Sequence, residues 1–338
     1  MAAAAPPTRN FRRSSAIDEF LTSMSVAAAL DVDSGVSEAG VTAKAPFAPI
    51  SLGRLVCVSA TPQLLAISDL HVGHAENRPI VEGLQPGHPG DWLIVAGDVA
   101  ETTPDIQWAL SLLKSRFDTV IWVPGNHELW TTTKDPVQLR GVRRYKHLVE
   151  MCRRLGVLTP EDEFPVWTGD GGPVRIAPLF ALYDYTFRPE GATNKEESLA
   201  IAHEAGIVCT DEYFLIPDPY PSIDAWCHAR VAETERRLAA CDPDVPLVLV
   251  NHWPLVRQPT RVLRYPEFAQ WCGTELSADW HTRFNTAAVV YGHLHIPRHT
   301  EYDGVPFEEV SLGYPREWKP RGLPAKLLKP VLPVRVAP

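Results

Sequence analysis

The sequence predicts an α/β fold, in which buried β-strands alternate with amphipathic helices. Five short apolar runs rich in β-branched residues recur along the chain: LLAISDLH, WLIVAGDV, TVIWVPGNHE, PLVLVNHW and AAVVYGHLH. Such runs are typical of strands that are covered on both faces. Helix-compatible segments lie between them, at residues 106–117, 142–155 and 225–241. The alternation of these two patterns is typical of a mostly parallel sheet flanked by helices.

Residues 1–60, which precede the first run, have a different composition. They open with MAAAAPP and show no sustained hydrophobic period, which predicts a disordered extension or an over-long start assignment. Arg12 and Arg13 suggest a twin-arginine export signal, but Asp18 and Glu19 interrupt the place of its apolar core. We therefore predict no signal peptide, no membrane segment and a cytoplasmic location.

Residues 61–314 are predicted to form a single catalytic domain with two insertions, near residues 180–225 and 257–285. Each insertion precedes a strand whose end is polar, so each is either an ordinary insertion or a wall of the substrate pocket. The candidate lining residues are aromatic: Trp130, Tyr183, Tyr185, Trp271 and Trp280. Residues 315–338 are predicted to form a basic C-terminal tail, because they hold six Lys or Arg residues and Glu317 as their single acid.

The overall composition disfavours several classes of protein. A net charge of −9 argues against a nucleic-acid-binding protein, which normally carries a basic face. The six cysteines are scattered without a CxxC pair. This spacing predicts neither a zinc cluster nor a disulfide framework, and it favours a reducing compartment.

Polar residues with metal-binding side chains stand at the C-terminal end of each apolar run. Ligands of open α/β folds collect outside these ends of the strands. The donors are oxygen and imidazole nitrogen without thiolate, a set that predicts two divalent ions and hydrolytic chemistry. Taken singly, each of these residues is more often structural. The candidate ligands are Asp69, His71, Asp98, Asn126, His252, His293 and His295, and His127 is the candidate proton donor.

The spacing of these residues suggests how they share two ions. Asp69 and His71 lie two positions apart, so on a strand both side chains would point to one face, and the same holds for His293 and His295. Asp98 ends a strongly apolar strand, and its two oxygens could bridge two ions about 3.5–4 Å apart. We expect Gly125 to permit a tight turn that brings Asn126 and His127 inward.

In this order, the motifs DxH, GD, GNHE, H and GHLH resemble the calcineurin-like metallophosphoesterase superfamily over residues 64–320. The resemblance implies a four-layer α/β/β/α sandwich that binds manganese, iron or zinc. It places one ion on Asp69, His71, Asp98 and His295, and a second on Asp98, Asn126, His252 and His293. Asp98 and His127 would be the catalytic residues. A metal-bridging hydroxide would attack phosphorus while His127, oriented by Asp98 or Glu128, protonates the leaving oxygen.

A closer resemblance rests on DWLIVAGDVAE, VIWVPGNHELWTT, LYDYTF, YPEFAQWCGT, ADWHTRFN, VYGHLHIPR and FEEVSLGYPREW. These segments are similar to the actinobacterial 4′-phosphopantetheinyl hydrolases. The resemblance implies that the chain removes 4′-phosphopantetheine from the serine of holo acyl carrier protein, with manganese as the activating metal. The alternatives are a phosphoesterase for a small molecule or nucleotide, and a non-enzymatic scaffold, which the intact ligand set disfavours.

Carrier proteins are generally acidic, so a chain of net charge −9 would need a local basic surface to bind one. Three segments could provide it: the predicted tail, residues 140–146, and the group Arg257, Arg261 and Arg264. Taken singly, each of them is better explained as an ordinary solvated helix or loop face.

Overall fold

The computed structural model describes residues 60–332, and all structural statements below refer to this part of the chain. The extension predicted over residues 1–60 lies outside the described residues except for its last residue. None of the described helices has the length and apolar character that crossing a membrane requires. The five described cysteines are free thiols.

The described strands form two mixed sheets. The four-stranded sheet has the order β10-β1-β2-β3, with β1, β2 and β3 parallel and β10 antiparallel. Its strands are β1 (Leu64–Ile67), β2 (Trp92–Val95), β3 (Thr119–Trp122) and β10 (Lys329–Pro330). The six-stranded sheet has the order β4-β5-β6-β7-β9-β8. Its strands are β4 (Val166–Trp167), β5 (Val174–Pro178), β6 (Leu247–Val250), β7 (Thr286–Tyr291), β8 (Arg298–Tyr302) and β9 (Val305–Glu309). All five predicted strands are therefore confirmed.

The helices connect these strands, and three of them match the predicted segments. They are α2 (Thr103–Lys114), α4 (Gly141–Leu155) and α7 (Ile223–Ala239). Thr102 and Ser222 begin α2 and α7 by accepting hydrogen bonds from backbone N–H groups of the first turn, which is the usual N-cap arrangement. The shorter helices are α1 (Arg78–Glu82), α3 (Asn126–Leu129), α5 (Lys195–Glu204), α6 (Asp211–Phe214), α8 (Trp280–Arg283) and α9 (Pro315–Arg321), with 3₁₀ turns at Gln258–Val262, Pro266–Trp271 and Glu275–Ser277.

Alternate side chains of the strands enter two different cores. In β1, Leu64 and Ala66 pack with Val248 and other residues of the six-stranded sheet, and they form the layer between the sheets. The intervening residues, such as Leu65, belong to a second cluster that includes helical residues such as Leu110. Because strand side chains alternate between faces, the two sheets face each other and helices cover their outer sides. The predicted four-layer arrangement is confirmed.

The prediction of a separate basic tail from residue 315 is wrong for residues 315–332. Pro315–Arg321 forms α9, and Lys329–Pro330 pairs with β1 through Leu65 and Ala66. Val331 and Leu332 are buried between the sheets. The prediction relied on the positive charge of this segment and overlooked its short apolar run, which follows the edge strand of the first sheet. The remaining residues, 333–338, lie outside the described part of the chain.

Candidate metal centre

All seven predicted ligands come together where the strands of both sheets end. Asp69 and His71 follow β1, Asp98 follows β2, and Asn126 begins α3 after β3. From the second sheet, His252 follows β6, and His293 and His295 follow β7. Three groups of described side chains offer ligand atoms within 4.8 Å of one another, and two of them consist of predicted ligands: Asp69, His71, Asp98 and His295, and Asp98, His252 and His293. The third group is His71, Glu101 and His127.

The first group surrounds a point between the ends of β1 and β7. Asp69 Oδ1 lies 2.8 Å from His295 Nε2 and 3.8 Å from His71 Nε2. His71 Nε2 lies 3.2 Å from His295 Nε2 and 3.9 Å from Asp98 Oδ2. Such separations are those of ligands that converge on one ion with bonds of about 2.0–2.2 Å.

The second group shares Asp98 with the first. Asp98 Oδ2 lies 3.3 Å from His252 Nε2. Asn126 Oδ1 lies 3.2 Å from both His252 Nε2 and His293 Nδ1. Its amide oxygen therefore joins the carboxylate and the two imidazoles of this group as a fourth candidate donor. One oxygen of Asp98 therefore faces both groups, as a carboxylate shared by two ions would.

Hydrogen bonds from outside the two groups fix which ring nitrogen faces inward. His252 donates from Nδ1 to the carbonyl of Ala96 at 2.8 Å, and His295 donates from Nδ1 to Glu317 Oε2 at 2.7 Å. Each Nε2 is then the nitrogen that points at the other donors and is available to an ion. A divalent cation bound among these donors would take the place of the proton that otherwise joins His295 Nε2 to Asp69 Oδ1. The donor set present in this chain therefore fits two divalent ions.

Most of these residues adopt a backbone conformation that is unfavourable for any residue except glycine. Asp69, His71, Asp98, His293 and His295 all have positive φ angles, between 41° and 69°. The predicted mechanism of convergence, two side chains sharing one face of a strand, is therefore wrong. The strands end first, and left-handed turns then direct the side chains inward. Strain of this kind costs about 1–3 kcal/mol per residue and is concentrated at functional sites.

Two glycines allow the backbone to approach the candidate ligands closely. Gly125 has an ordinary φ of −97°, so the predicted need for a special turn conformation is wrong. A β-carbon at position 125 would instead lie 2.1 Å from Asp98 Oδ1, and one at Gly292 would lie 2.3 Å from Asp69 Oδ2. At both positions the carboxylate of a candidate ligand occupies the space that a side chain would need, together with the Ser68 hydroxyl at Gly292.

The two candidate carboxylate ligands remain ionised despite complete burial. Burial alone would raise the pKa of Asp69, but the charge and hydrogen bond of His295 lower it below its usual value. Burial likewise opposes ionisation of Asp98, whereas His252 and His127 hold its pKa well below the usual range. Both groups are thus available as anionic ligands.

His127 lies beside the two groups and is held by residues other than the predicted ones. Its Nδ1 lies 2.9 Å from Glu101 Oε1, whereas Glu128 faces away and accepts backbone N–H bonds from Asp98, Val99 and Gly125. The prediction that Asp98 or Glu128 orients the imidazole is therefore wrong, and Glu101 takes this position. Burial would lower the pKa of His127, but Asp98 and Glu101 raise it. The two carboxylates thus favour the protonated imidazole.

A pocket opens in front of these groups. Its floor holds Asp98, Asn126, His127, His293 and His295, and the predicted insertions supply Cys209 and Thr210 on one side and Leu263 and Phe268 on the other. Both insertions therefore contribute side chains to this pocket. Of the predicted aromatic lining, Trp130 is present, whereas Tyr183, Tyr185, Trp271 and Trp280 are buried in the core. The remaining lining residues are Leu294, Tyr314, Arg316 and Glu317.

Four further residues, which the motifs do not predict, contribute to the site. Glu317 holds His295, and Ser311 donates to Asp69 Oδ2 at 2.7 Å. Glu101 and Tyr314 contact the two ring nitrogens of His127. Only Glu101 had a usable signal, because it stands three residues after Asp98 in GDVAE and thus on the same loop.

The chain matches the family model of the calcineurin-like phosphoesterases over residues 62–297. This span covers more than half of the chain and contains every predicted ligand. The chain is a calcineurin-like phosphoesterase. This phosphoesterase is 62% identical over 276 residues to the acyl-carrier-protein phosphodiesterase PptH of Mycobacterium tuberculosis, an alignment that covers 82% of this chain and 85% of that protein.

A solved structure agrees with this assignment. The crystal structure of the phosphopantetheinyl hydrolase PptH from Mycobacterium tuberculosis superimposes on this phosphoesterase with a TM-score of 0.81 and 61% identity. The superposition covers 82% of this chain and 99% of the other. At this identity the two chains share the family and the two-sheet architecture.

Proposed function

We propose that this phosphoesterase removes 4′-phosphopantetheine from the serine of holo acyl carrier protein and releases the apo protein. The observation that carries the proposal is the 62% identity to a protein described as an acyl-carrier-protein phosphodiesterase. The reaction adds water to phosphorus and breaks the bond between phosphorus and the serine oxygen. The products are 4′-phosphopantetheine and a serine hydroxyl.

The seven clustered side chains are proposed to hold two divalent ions, the first on Asp69, His71, Asp98 and His295 and the second on Asp98, Asn126, His252 and His293. Bound there, two such ions would activate water and neutralise charge on the phosphoryl oxygens. Manganese is the proposed metal, and iron and zinc are the alternatives, since the oxygen and imidazole donors suit all three.

His127 is proposed to donate the proton that the departing serine oxygen requires. Its imidazole lies on the pocket floor, and Glu101 holds Nδ1, so Nε2 is the atom that can face the leaving group. A serine alkoxide is a strong base, and protonation by a positioned acid is typically worth about 10²–10⁴-fold in rate. The apolar wall formed by Trp130, Leu263, Phe268 and Leu294 suits a neutral, extended pantetheine arm.

The carrier protein is proposed to approach along the side of the pocket where Arg316 is exposed and lines the opening. Of the other basic segments, residues 140–146 are the poorest choice, because Arg144 is fully buried and pairs with Asp135 at 2.9 Å. We also propose a single catalytic domain over residues 61–332 and a cytoplasmic location. Free thiols at all five described cysteines suit a reducing compartment.

The proposal is tested by incubating the purified protein and manganese with holo acyl carrier protein. Mass spectrometry should show conversion of the holo to the apo carrier protein together with release of 4′-phosphopantetheine. An unchanged carrier protein, alongside rapid turnover of nucleotide or small-molecule phosphoesters, would instead identify this chain as a small-molecule phosphoesterase.

The role of His127 has its own test. His127→Ala should lose most activity on holo carrier protein while its metal content, measured by inductively coupled plasma mass spectrometry, stays at the wild-type level. His299→Ala is a matched control, because His299 lies on the edge strand β8 and is 47% exposed. Loss of metal from the His127 variant would make His127 a ligand and would refute the assigned role.

A further inference from the structure

Tyr314 occupies a position between the candidate proton donor and the first group of ligands. Its hydroxyl oxygen lies 3.1 Å from His127 Nε2, and the residue lines the pocket. None of the metal-ligand motifs includes it. Tyr314 is therefore a candidate for a role in the reaction beyond those already assigned.

The ring of Tyr314 is fixed independently of His127. It stacks on the imidazole of His71 with ring centroids 4.3 Å apart and an interplanar angle of 28°. It also meets His295 edge to face at 4.7 Å. Its backbone N–H donates to Glu317 Oε2, the same oxygen that accepts from His295. The hydroxyl is thus held at a defined place relative to two candidate ligands.

The imidazole of His127 is correspondingly restrained at both nitrogens and on one face. Glu101 lies at Nδ1 and Tyr314 at Nε2. Trp130 covers the ring at a centroid distance of 3.7 Å, and the indole N–H of Trp130 donates to Asp211 at 2.6 Å. Of these contacts, only the Tyr314 hydroxyl fixes the nitrogen that faces the pocket.

We propose that Tyr314 is a positioning residue, whose hydroxyl holds Nε2 of His127 at a fixed place relative to the metal centre. This inference rests on the proposed function: before substrate binds, the single Nε2–H of His127 points at the Tyr314 oxygen 3.1 Å away, and it leaves this contact for the departing oxygen as the phosphorus–oxygen bond breaks. Misplacing a proton donor costs most when the leaving oxygen is strongly basic and least when it departs readily as an anion. The contribution of Tyr314 should therefore grow with the basicity of the leaving group.

The experiment compares Tyr314→Phe with the wild type on a series of aryl phosphodiesters whose leaving groups run from p-nitrophenol to unsubstituted phenol. Phe retains the ring and its stacking and removes only the hydroxyl. We expect kcat to fall more for phenol than for p-nitrophenol, by a further factor of about ten, the size expected for one hydrogen bond to a charged group. The plot of log kcat against leaving-group pKa should become steeper.

Two further measurements separate positioning from a structural effect. Adding Tyr314→Phe to His127→Ala should cause no additional steepening, because the group being positioned is then absent. Metal content should remain at the wild-type level. Tyr302→Phe is the control, since Tyr302 lies on β8 against Phe307, outside the pocket lining.

The outcomes are distinct from those that test the function. An equal loss for every leaving group, loss of metal, or a further steepening in the His127→Ala background would each overturn the inference. Failure of the wild type to act on holo carrier protein would instead reject the proposed substrate. The leaving-group series would still decide the role of Tyr314, because it requires only phosphodiesterase activity.

Discussion

Gly125→Ala should disable the metal centre by a purely steric route. The added β-carbon would lie 2.1 Å from Asp98 Oδ1 and 2.7 Å from Asp98 N. Carbon and oxygen atoms normally approach no closer than about 3.3 Å, so one of the groups must move by about 1 Å. The backbone itself tolerates alanine, because φ at this position is −97°. The cost therefore falls on the Asp98 carboxylate.

Asp98 has little freedom to accommodate this displacement. Its Oδ1 accepts the backbone N–H of His127 at 3.0 Å, and its Oδ2 faces both groups of candidate ligands. A shift of about 1 Å at a catalytic group can cost about 100-fold in rate. Overpacking should lower the free energy of unfolding by about 1–3 kcal/mol. We therefore expect folded protein with reduced metal content and at least this loss of kcat.

The assay measures manganese bound per chain after dialysis, kcat on bis(p-nitrophenyl) phosphate, and the melting temperature. Gly83→Ala is the matched control, because φ there is −83° and its added β-carbon would meet only Ile80 O at 3.3 Å and Pro79 O at 3.4 Å. If Gly125→Ala retains two ions per chain and a kcat close to that of the control, the steric reasoning is refuted.

Three other perturbations test separate parts of the site. Glu101→Gln should retain metal but lower kcat on alkyl esters by about tenfold or more, since His127 loses its charged partner; unchanged kinetics would contradict this role. Arg144→Met should lower the free energy of unfolding in urea by about 3–5 kcal/mol, because it leaves the carboxylate of Asp135 unpaired in the interior. A combined Arg144→Met and Asp135→Leu variant should recover part of this loss. Chelation of the metal should abolish turnover and lower the melting temperature, and manganese should restore both.

The sequence was sufficient to predict the fold class and the clustering of the candidate ligands. Both depend on a regular signal, since strands that are buried on both faces read as apolar runs and the carboxyl ends of parallel strands meet at one edge. The family resemblance supplied the four layers and the division of ligands between two ions. The left-handed turns that direct the candidate ligands inward could not be predicted. Five non-glycine residues there have positive φ angles, a conformation that local propensity disfavours and that the surrounding fold imposes.

The sequence also did not predict how deeply individual side chains are buried or in which direction they point. Tyr185 and Trp271 were candidate pocket residues, yet their polar groups both donate to Glu212 Oε1 at 2.8 Å, which anchors the rings inside the protein. Glu128 and Glu101 are equally plausible partners for His127 by sequence alone. Glu128 turns back at the start of α3 to satisfy three loop N–H groups, so only Glu101 is left for the imidazole.

The position of the candidate centre links local strain to the stability of the whole domain. Each group of ligands draws on both sheets: Asp69 and His295 meet in the first, and Asn126 and His252 in the second. The two sheets also approach each other here through the bridge between Ser68 and Ser311. Ions bound at this seam would offset the strain of the left-handed turns and join the sheets, since a ligand that binds only the folded state stabilises it. We therefore predict that bound metal raises the free energy of unfolding of the sandwich.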